Sequence, residues 1–263
     1  SSDLHIEIQI LADQHGNCVH LGERDCSLQR RHQKVLEEAP SPGLSAEERA
    51  FIGNVARQAA ARLGYYSVGT FEFLYENGKF YFIEMNTRLQ VEHPVTELIT
   101  GIDLVKEQIR VAAGEPLLFR QEDVRFTGHA IECRINAEHP ETFTPSPGRV
   151  TEYHTPGGPG VRVDSAVFAG YQVPPHYDSL IAKLIVHAPT RAEAIARARR
   201  ALHEYAIIGV HSTIPLHEKL LQQPDVQAGT YDIRWLENFI QAGEAQKEAP
   251  AAAAVTPLQK VAV

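Results

Sequence analysis

Two alternating runs, Thr70-Phe-Glu-Phe-Leu-Tyr75 and Lys79-Phe-Tyr-Phe-Ile-Glu-Met-Asn86, flank Glu76-Asn77-Gly78. Period-two alternation on both sides of such a turn predicts an antiparallel hairpin. Its register matters, because a slip of one residue moves every side chain to the other face. A two-residue Asn77-Gly78 turn would pair Glu72 with Ile83 and throw Glu84 onto the opposite face. A three-residue loop, with Gly78 left-handed, pairs Glu72 with Phe82 and keeps Glu84 on the same face, one diagonal step away. That register also gathers Phe71, Phe73, Tyr81, Ile83 and Met85 as a core-facing set, so the three-residue loop is expected.

Neighbouring carboxylates repel unless a cation lies between them. Glu72, Glu84 and Asn86 make an oxygen-only set of hard ligands, suited to Mg²⁺ or Mn²⁺ shared with phosphates. The spacing continues through Arg88, Gln90 and Glu92, which suits the handling of a small anion beside the cation. A second concentration is Glu23-Arg-Asp-Cys-Ser-Leu-Gln-Arg-Arg-His-Gln-Lys34. Read as one strand, it puts Arg30, His32 and Lys34 on one face, where they could bind phosphate or bicarbonate oxygens.

Around these segments the chain reads as α+β. Strands are expected over His5–Leu11 and Cys18–Leu21, with Asp13–Asn17 as their turn. Ser45, with Glu48 three residues on, predicts a capped helix to Leu63, stopped by Gly64. A second helix is expected over Pro94–Ala113. Short strands follow from His129 to His187, then a helix over Arg191–Tyr205 and two shorter ones at Pro215–Leu221 and Ile233–Ile240. A joint near residues 114–128 divides an N-terminal lobe from a strand-rich one, and residues 241–263 read as a mobile tail.

Composition narrows the function. A net charge of −8 and a pI near 5.9 argue against a nucleic-acid backbone as partner. No apolar run approaches a membrane span. Three cysteines in no metal-type spacing read as free thiols, and a cytoplasmic location is expected. Gly157-Gly-Pro-Gly160 lacks the Gly-Lys-Ser/Thr of a P-loop and reads as a turn. No Gly-x-Ser-x-Gly elbow supports a hydrolase triad.

Three blocks carry a family resemblance. They are residues 23–34 with Glu37-Glu-Ala-Pro40, then Phe80-Tyr-Phe-Ile-Glu-Met-Asn-Thr-Arg-Leu-Gln-Val-Glu-His-Pro-Val-Thr-Glu97, then His129-Ala-Ile-Glu-Cys-Arg-Ile-Asn-Ala-Glu138. Together they resemble the biotin carboxylases, from residue 1 to about 240. The resemblance implies the C-terminal part of an ATP-grasp domain over residues 1–117, mainly antiparallel sheet with helices. A biotin carboxylase C-terminal domain would follow over 118–240. It also implies ATP-dependent carboxylation of biotin by bicarbonate through carboxyphosphate.

By the same resemblance, Glu72, Glu84 and Asn86 hold Mg²⁺ or Mn²⁺. His5, Gln29, His32, Leu74 and Ile233 line the ATP site, with Glu72 and Glu84 reaching it through the metal. Lys34, Arg88, Gln90 and Val91 surround bicarbonate, with Glu92 as its base. Arg134 stabilises the biotin enolate, and Arg88 is a further catalytic arginine. His93–Thr96 is similar to the acetyl-CoA carboxylase type, which places the reaction in fatty acid synthesis. A biotin carboxyl carrier protein, carboxyltransferase subunits and a second copy of the chain are the implied partners.

The family also has an N-terminal domain and a lysine-bearing lid. Neither has a counterpart here, Ser1 opens the chain and Met85 is its only methionine, so the chain is expected to be a C-terminal portion, inactive alone. It has no Ala/Val-Met-Lys-Met sequence, so biotin is expected on a separate carrier. The rival readings are a non-catalytic dimerisation or carrier-docking module, and another ATP-grasp ligase.

Overall fold

The computed structural model describes residues 3–248, with side chains to residue 243. Eight strands form one sheet, in the order Lys79–Asn86, Ser67–Glu76, Leu4–Ala12, Cys18–Arg30, Gln33–Ala39, His129–Asn136, Leu180–Ala188, Val161–Ser165. The first half supplies β1 (Leu4–Ala12), β2 (Cys18–Arg30), β3 (Gln33–Ala39), β4 (Ser67–Glu76) and β5 (Lys79–Asn86), with α1 (Ala46–Arg62), α2 (His93–Thr100) and α3 (Leu104–Ala112). The second half supplies β6 (His129–Asn136), β7 (Gly148–Arg149), β8 (Glu152–His154), β9 (Val161–Ser165), β10 (Gln172–Val173), β11 (Leu180–Ala188) and β12 (Ala206–Ile208). Its helices are α4 (Arg191–Glu204), α5 (Ile214–Leu220), α6 (Pro224–Ala228) and α7 (Trp235–Glu248). The strand ladders of the sheet are antiparallel throughout. This is the expected α+β class.

The sheet does not break at the expected joint. β3 pairs with β6 through Leu36↔Cys133 to Ala39↔Ala130, so strands from both halves share one ladder. Leu28 and Leu36 accordingly pack in the same core as Ile131, Leu184, Ile195 and Leu202. A second core lies under α1, where Ile6, Ile8 and Ile10 of β1 meet Ile52, Ala56, Phe71 and Phe73. Ser45 caps α1 with the reciprocal Glu48 bond that the sequence predicts.

Four expectations change. The helix over Pro94–Ala113 is two helices: Gly101, left-handed at φ 71°, ends α2, and the Asp103 side chain caps α3 by accepting the Lys106 N–H. The basic segment is not one strand. Arg31 and His32 form the turn between β2 and β3, both left-handed at φ 48° and 62°. Arg30 therefore faces away from Lys34's partners and lies over the Phe143 ring at 3.9 Å. Helix α6 was not anticipated. Helix α7 continues to Glu248, so residues 241–248 of the expected tail are helical, and the rest of that tail lies outside the described residues.

The hairpin follows neither expected register. Asn77 and Gly78, at φ 49° and 78°, make the two-residue turn, and Glu76 pairs with Lys79. The ladder runs regularly to Phe73↔Phe82 and then shifts, so that Glu72 faces Glu84. That bulge admits Ile83 as an extra residue. It keeps Phe80 and Phe82 against Phe73, at 6.2 and 5.8 Å between ring centroids, while Glu84 stays with Glu72. Tyr81 and Ile83, expected in the core, are instead exposed.

Candidate active site

Because Ile6, Ile8 and Ile10 turn into the core beneath α1, His5, Glu7 and Gln9 share the opposite face of β1. All three are buried. Strand pairing extends the row: Glu84 faces Glu72, Glu72 faces Glu7, and Glu7 faces Arg24. A buried charge needs paired, hydrogen-bonded surroundings, and Arg24 has them. It donates to Glu7 Oε2 at 3.2 Å, Gln9 Oε1 at 2.6 Å, Thr70 Oγ1 at 3.2 Å, Gln90 Oε1 at 2.7 Å and Thr96 Oγ1 at 3.1 Å. One guanidinium thus ties β1, β4, the 87–92 loop and α2 together.

Gln90, oriented by Arg24, donates its amide to Glu72 Oε1 at 2.8 Å. The His5 ring lies 2.7 Å from Glu72 Oε2. Burial pushes the Glu72 carboxyl up, but the His5 hydrogen bond, the Lys34 charge and Gln90 outweigh it and hold it at about 2. Glu7 moves the other way, to about 7, because burial and the Glu92 charge exceed the pull of Lys34 and Arg24.

Glu92 precedes α2 and is buried. Lys34 Nζ donates to its Oε1 at 2.7 Å and Arg134 Nη2 to its Oε2 at 2.9 Å. Burial raises Glu92, yet Lys34, Arg24 and Arg134 together hold it well below the usual carboxylate range. Lys34 also donates to Glu7, and Arg134 to Glu37. Burial lowers the Lys34 and Arg134 values, but neighbouring groups outweigh it, Cys26, Glu7 and Glu92 for Lys34 and Glu37 and Glu92 for Arg134, and hold both above their ordinary range.

These groups border a cleft of about 1060 Å³. Its lining includes every site residue that the resemblance implies: His5, Gln29, His32, Lys34, Glu72, Leu74, Glu84, Asn86, Arg88, Gln90, Val91, Glu92, Arg134 and Ile233. Gln29 reaches it opposite Lys34 in the β2–β3 ladder. Ile233 arrives because its N–H bonds Asp3 O at 3.0 Å, bringing the segment before α7 back to the start of β1. Sequence reasoning missed Glu7, Arg24, Glu37 and Lys183 behind the cleft, and Tyr177 and Asp178 on its rim. For Glu7 the signal was available: a polar row alternating with three isoleucines in one strand.

The Asn86 amide nitrogen lies 2.7 Å from Glu72 Oε1 and 2.9 Å from Glu84 Oε1. Three oxygen-bearing heads thus converge where a hard divalent cation could replace the amide contact, so the donor set fits Mg²⁺ or Mn²⁺. Two other clusters, His5–Glu7–Glu72 and Glu7–Cys26–Glu92, bring ligand types together. Lys34 and Arg24 already occupy their carboxylates, and a cation there would meet both positive charges.

Residues 2–119 match the family model for the carbamoyl-phosphate synthase L chain, ATP binding domain, and residues 132–238 match the biotin carboxylase C-terminal domain. The chain belongs to the biotin carboxylase family. It is 60% identical over 236 residues to a biotin carboxylase of Allochromatium vinosum, covering 90% of this chain and 53% of that protein. To the biotin carboxylase of Haemophilus influenzae it is 62% identical over 233 residues, covering 89% and 52%. The chain therefore spans about half the length of the curated relatives it matches. Among solved structures, the biotin carboxylase domain dimer of Hydrogenobacter thermophilus 2-oxoglutarate carboxylase, in complex with MgADP, ADP and bicarbonate, superposes with a TM-score of 0.88 at 55% identity, covering 90% of this chain and 52% of that one. Among the described residues no helix is long and apolar enough to cross a membrane.

Proposed function

We propose that this chain forms the metal, bicarbonate and biotin side of a biotin carboxylase active site, in which ATP and bicarbonate carboxylate biotin held on a carrier protein. One observation carries the reading: Glu92 sits between Lys34 and Arg134 at the floor of a cleft that also receives Glu72, Glu84 and Asn86. In this reading Glu72, Glu84 and Asn86 hold Mg²⁺ or Mn²⁺, which supplies charge neutralisation for phosphoryl transfer. His5, Gln29, His32, Leu74 and Ile233 line the nucleotide side. Lys34, Arg88, Gln90 and Val91 surround bicarbonate.

Glu92 takes the bicarbonate proton as the anion attacks the γ-phosphate. Lys34, Arg24 and Arg134 keep this carboxylate ionised, so it meets bicarbonate in the proton-accepting form, and its low proton affinity lets it return the proton readily. The carboxyphosphate formed breaks into CO₂ and phosphate, and the phosphate removes the biotin ureido proton. Arg134, gripped by Glu37 and Glu92 from two sides, presents a fixed cation to the enolate oxygen, which costs no reorganisation as charge develops.

Partners belong to the same proposal: a biotin carboxyl carrier protein, carboxyltransferase subunits and a second copy of the chain, in the cytoplasm. His93–Thr96 supports acetyl-CoA as the final acceptor and a role in fatty acid synthesis, although the similar Hydrogenobacter thermophilus domain belongs to a 2-oxoglutarate carboxylase. The domain division at residues 117 and 118 is proposed as a division of origin, since one sheet crosses it. We propose further that the chain is inactive alone, because half the length of its relatives has no counterpart in it.

The test is biotin- and bicarbonate-dependent ATP cleavage with Mg²⁺, run on this chain and on a full-length protein containing it, each with an Arg88→Ala partner. Activity in the full-length wild type alone is the expected result. Activity of the chain alone would overturn its dependence on the missing half. Silence of a folded full-length protein would overturn the enzyme reading.

A further inference from the structure

Glu132 is wholly buried on β6, next to the grip on Arg134, and no step above uses it. It stands directly opposite Glu37 of β3 and Ile185 of β11. Residues opposed in this way point to the same face, so the two carboxyl groups lie side by side out of water. Arg134, two residues along the same strand face, donates to Glu37 Oε1 and to Glu92, not to Glu132. Lys183, opposite Arg134 on β11, donates to the Val91 carbonyl at 2.7 Å and lies 3.5 Å from Asp164. Lys34 is held by Glu7 and Glu92. Above this part of the sheet α2 brings Val95 and Ile99 against Ala39, Ala130 and Ile185, all apolar.

Among the described residues, three buried carboxyl oxygens of this layer are left over: both of Glu132 and the Oε2 of Glu37. Two carboxylates side by side without a cation between them repel, and each orphaned oxygen forfeits a hydrogen bond. One proton removes both costs. We propose that Glu132 holds a proton at neutral pH and donates it to Glu37 Oε2, forming an acid–carboxylate pair that positions Arg134. The proton belongs on Glu132 because the guanidinium in reach already binds Glu37. Burial and the Glu37 charge push Glu132 well above the ordinary carboxylate range, in agreement with the geometry. A neutral Glu132 leaves Arg134 shared between Glu37 and Glu92. An ionised one would draw Arg134 deeper and strip Glu92 of a cation. This last consequence rests on the function proposed above, whereas the protonation does not.

The first measurement reads the proton. Infrared spectra of the folded chain at neutral pH should contain the C=O band of a protonated carboxylic acid that Glu132→Gln removes. Because the folded state holds a proton that the unfolded state releases, Glu132 should contribute a fall of about tenfold in the folding constant per pH unit between its unfolded and folded values. Glu132→Gln, which keeps a neutral donor, should lack that part of the slope and gain on the wild type as pH rises. Glu132→Ala should also lack the slope but be less stable than Glu132→Gln at neutral pH, since Glu37 Oε2 is then unpaired. A difference spectrum between wild type and Glu132→Gln without an acid C=O band would overturn the proposal, as would equal pH slopes in the two proteins. In a full-length active protein, Glu132→Gln should keep its rate at alkaline pH where the wild type declines. If the band is present but that protein has no carboxylase activity, the functional reading fails and the acid pair stands.

Discussion

The Lys34 ammonium lies 2.7 Å from the Glu92 carboxylate, across a sequence separation of fifty-eight residues, and also bonds Glu7. This one cation binds two buried carboxyl groups on different elements. Lys34→Met leaves both without it, and removing one member of a buried ion pair costs about 3–5 kcal/mol. Urea denaturation at pH 7 should show a loss of that size. The loss should shrink at pH 5, where the carboxylates can take protons instead.

Arg24 serves five acceptors through a planar fork, which an ammonium cannot reproduce. Arg24→Lys should therefore destabilise by about 3 kcal/mol despite keeping the charge. It should also loosen Gln90 and, through it, Glu72. Equal urea midpoints for wild type and Arg24→Lys would show that charge alone, not the fork, holds this layer.

Glu84 is exposed at the cleft rim, so replacing it should leave the fold untouched. Glu84→Gln is expected to weaken Mn²⁺ binding by about tenfold or more in calorimetric titration, with an unchanged melting temperature. Unchanged Mn²⁺ affinity would remove Glu84 from the ligand set.

On the opposite face of β3, Glu38 accepts from His129 and Arg191 and from the Tyr231 hydroxyl. Burial raises its carboxyl, but the His129 and Arg191 bonds and charges prevail and lower it from 4.5 to about 2. A depressed folded value means stability that is present above the unfolded value and lost as pH falls towards 2. Glu38→Gln should remove about 3 kcal/mol at neutral pH and flatten the acid limb of the stability curve between those values. An unchanged acid limb would mean that other carboxylates control it.

Much of the site was legible in the sequence because its signals are local. Strand alternation, the presence of a reversal between Glu76 and Lys79 and the Ser45–Glu48 box each depend on residues within one turn or one strand, where backbone sterics and hydrogen bonding decide the outcome. The convergence of Glu72, Glu84 and Asn86 was legible too, although for an incorrect reason. Parity argued for a longer loop, whereas the protein keeps the favoured two-residue turn and restores parity with a bulge at Ile83.

That bulge was not readable from the hairpin alone, because it reconciles demands from two directions: aromatic packing under α1 and a carboxylate row set by β1. The left-handed Arg31-His32 turn was hidden likewise, since two successive non-glycine residues rarely adopt that conformation and no glycine or asparagine marks it. The sequence by itself determined the β1–β2 and β4–β5 strand pairs, the capped helix α1 and which polar residues could meet. Only the tertiary structure decided that Arg24, Glu37, Glu132 and Lys183 lie behind the cleft, because their charges are compensated by partners on other strands and helices.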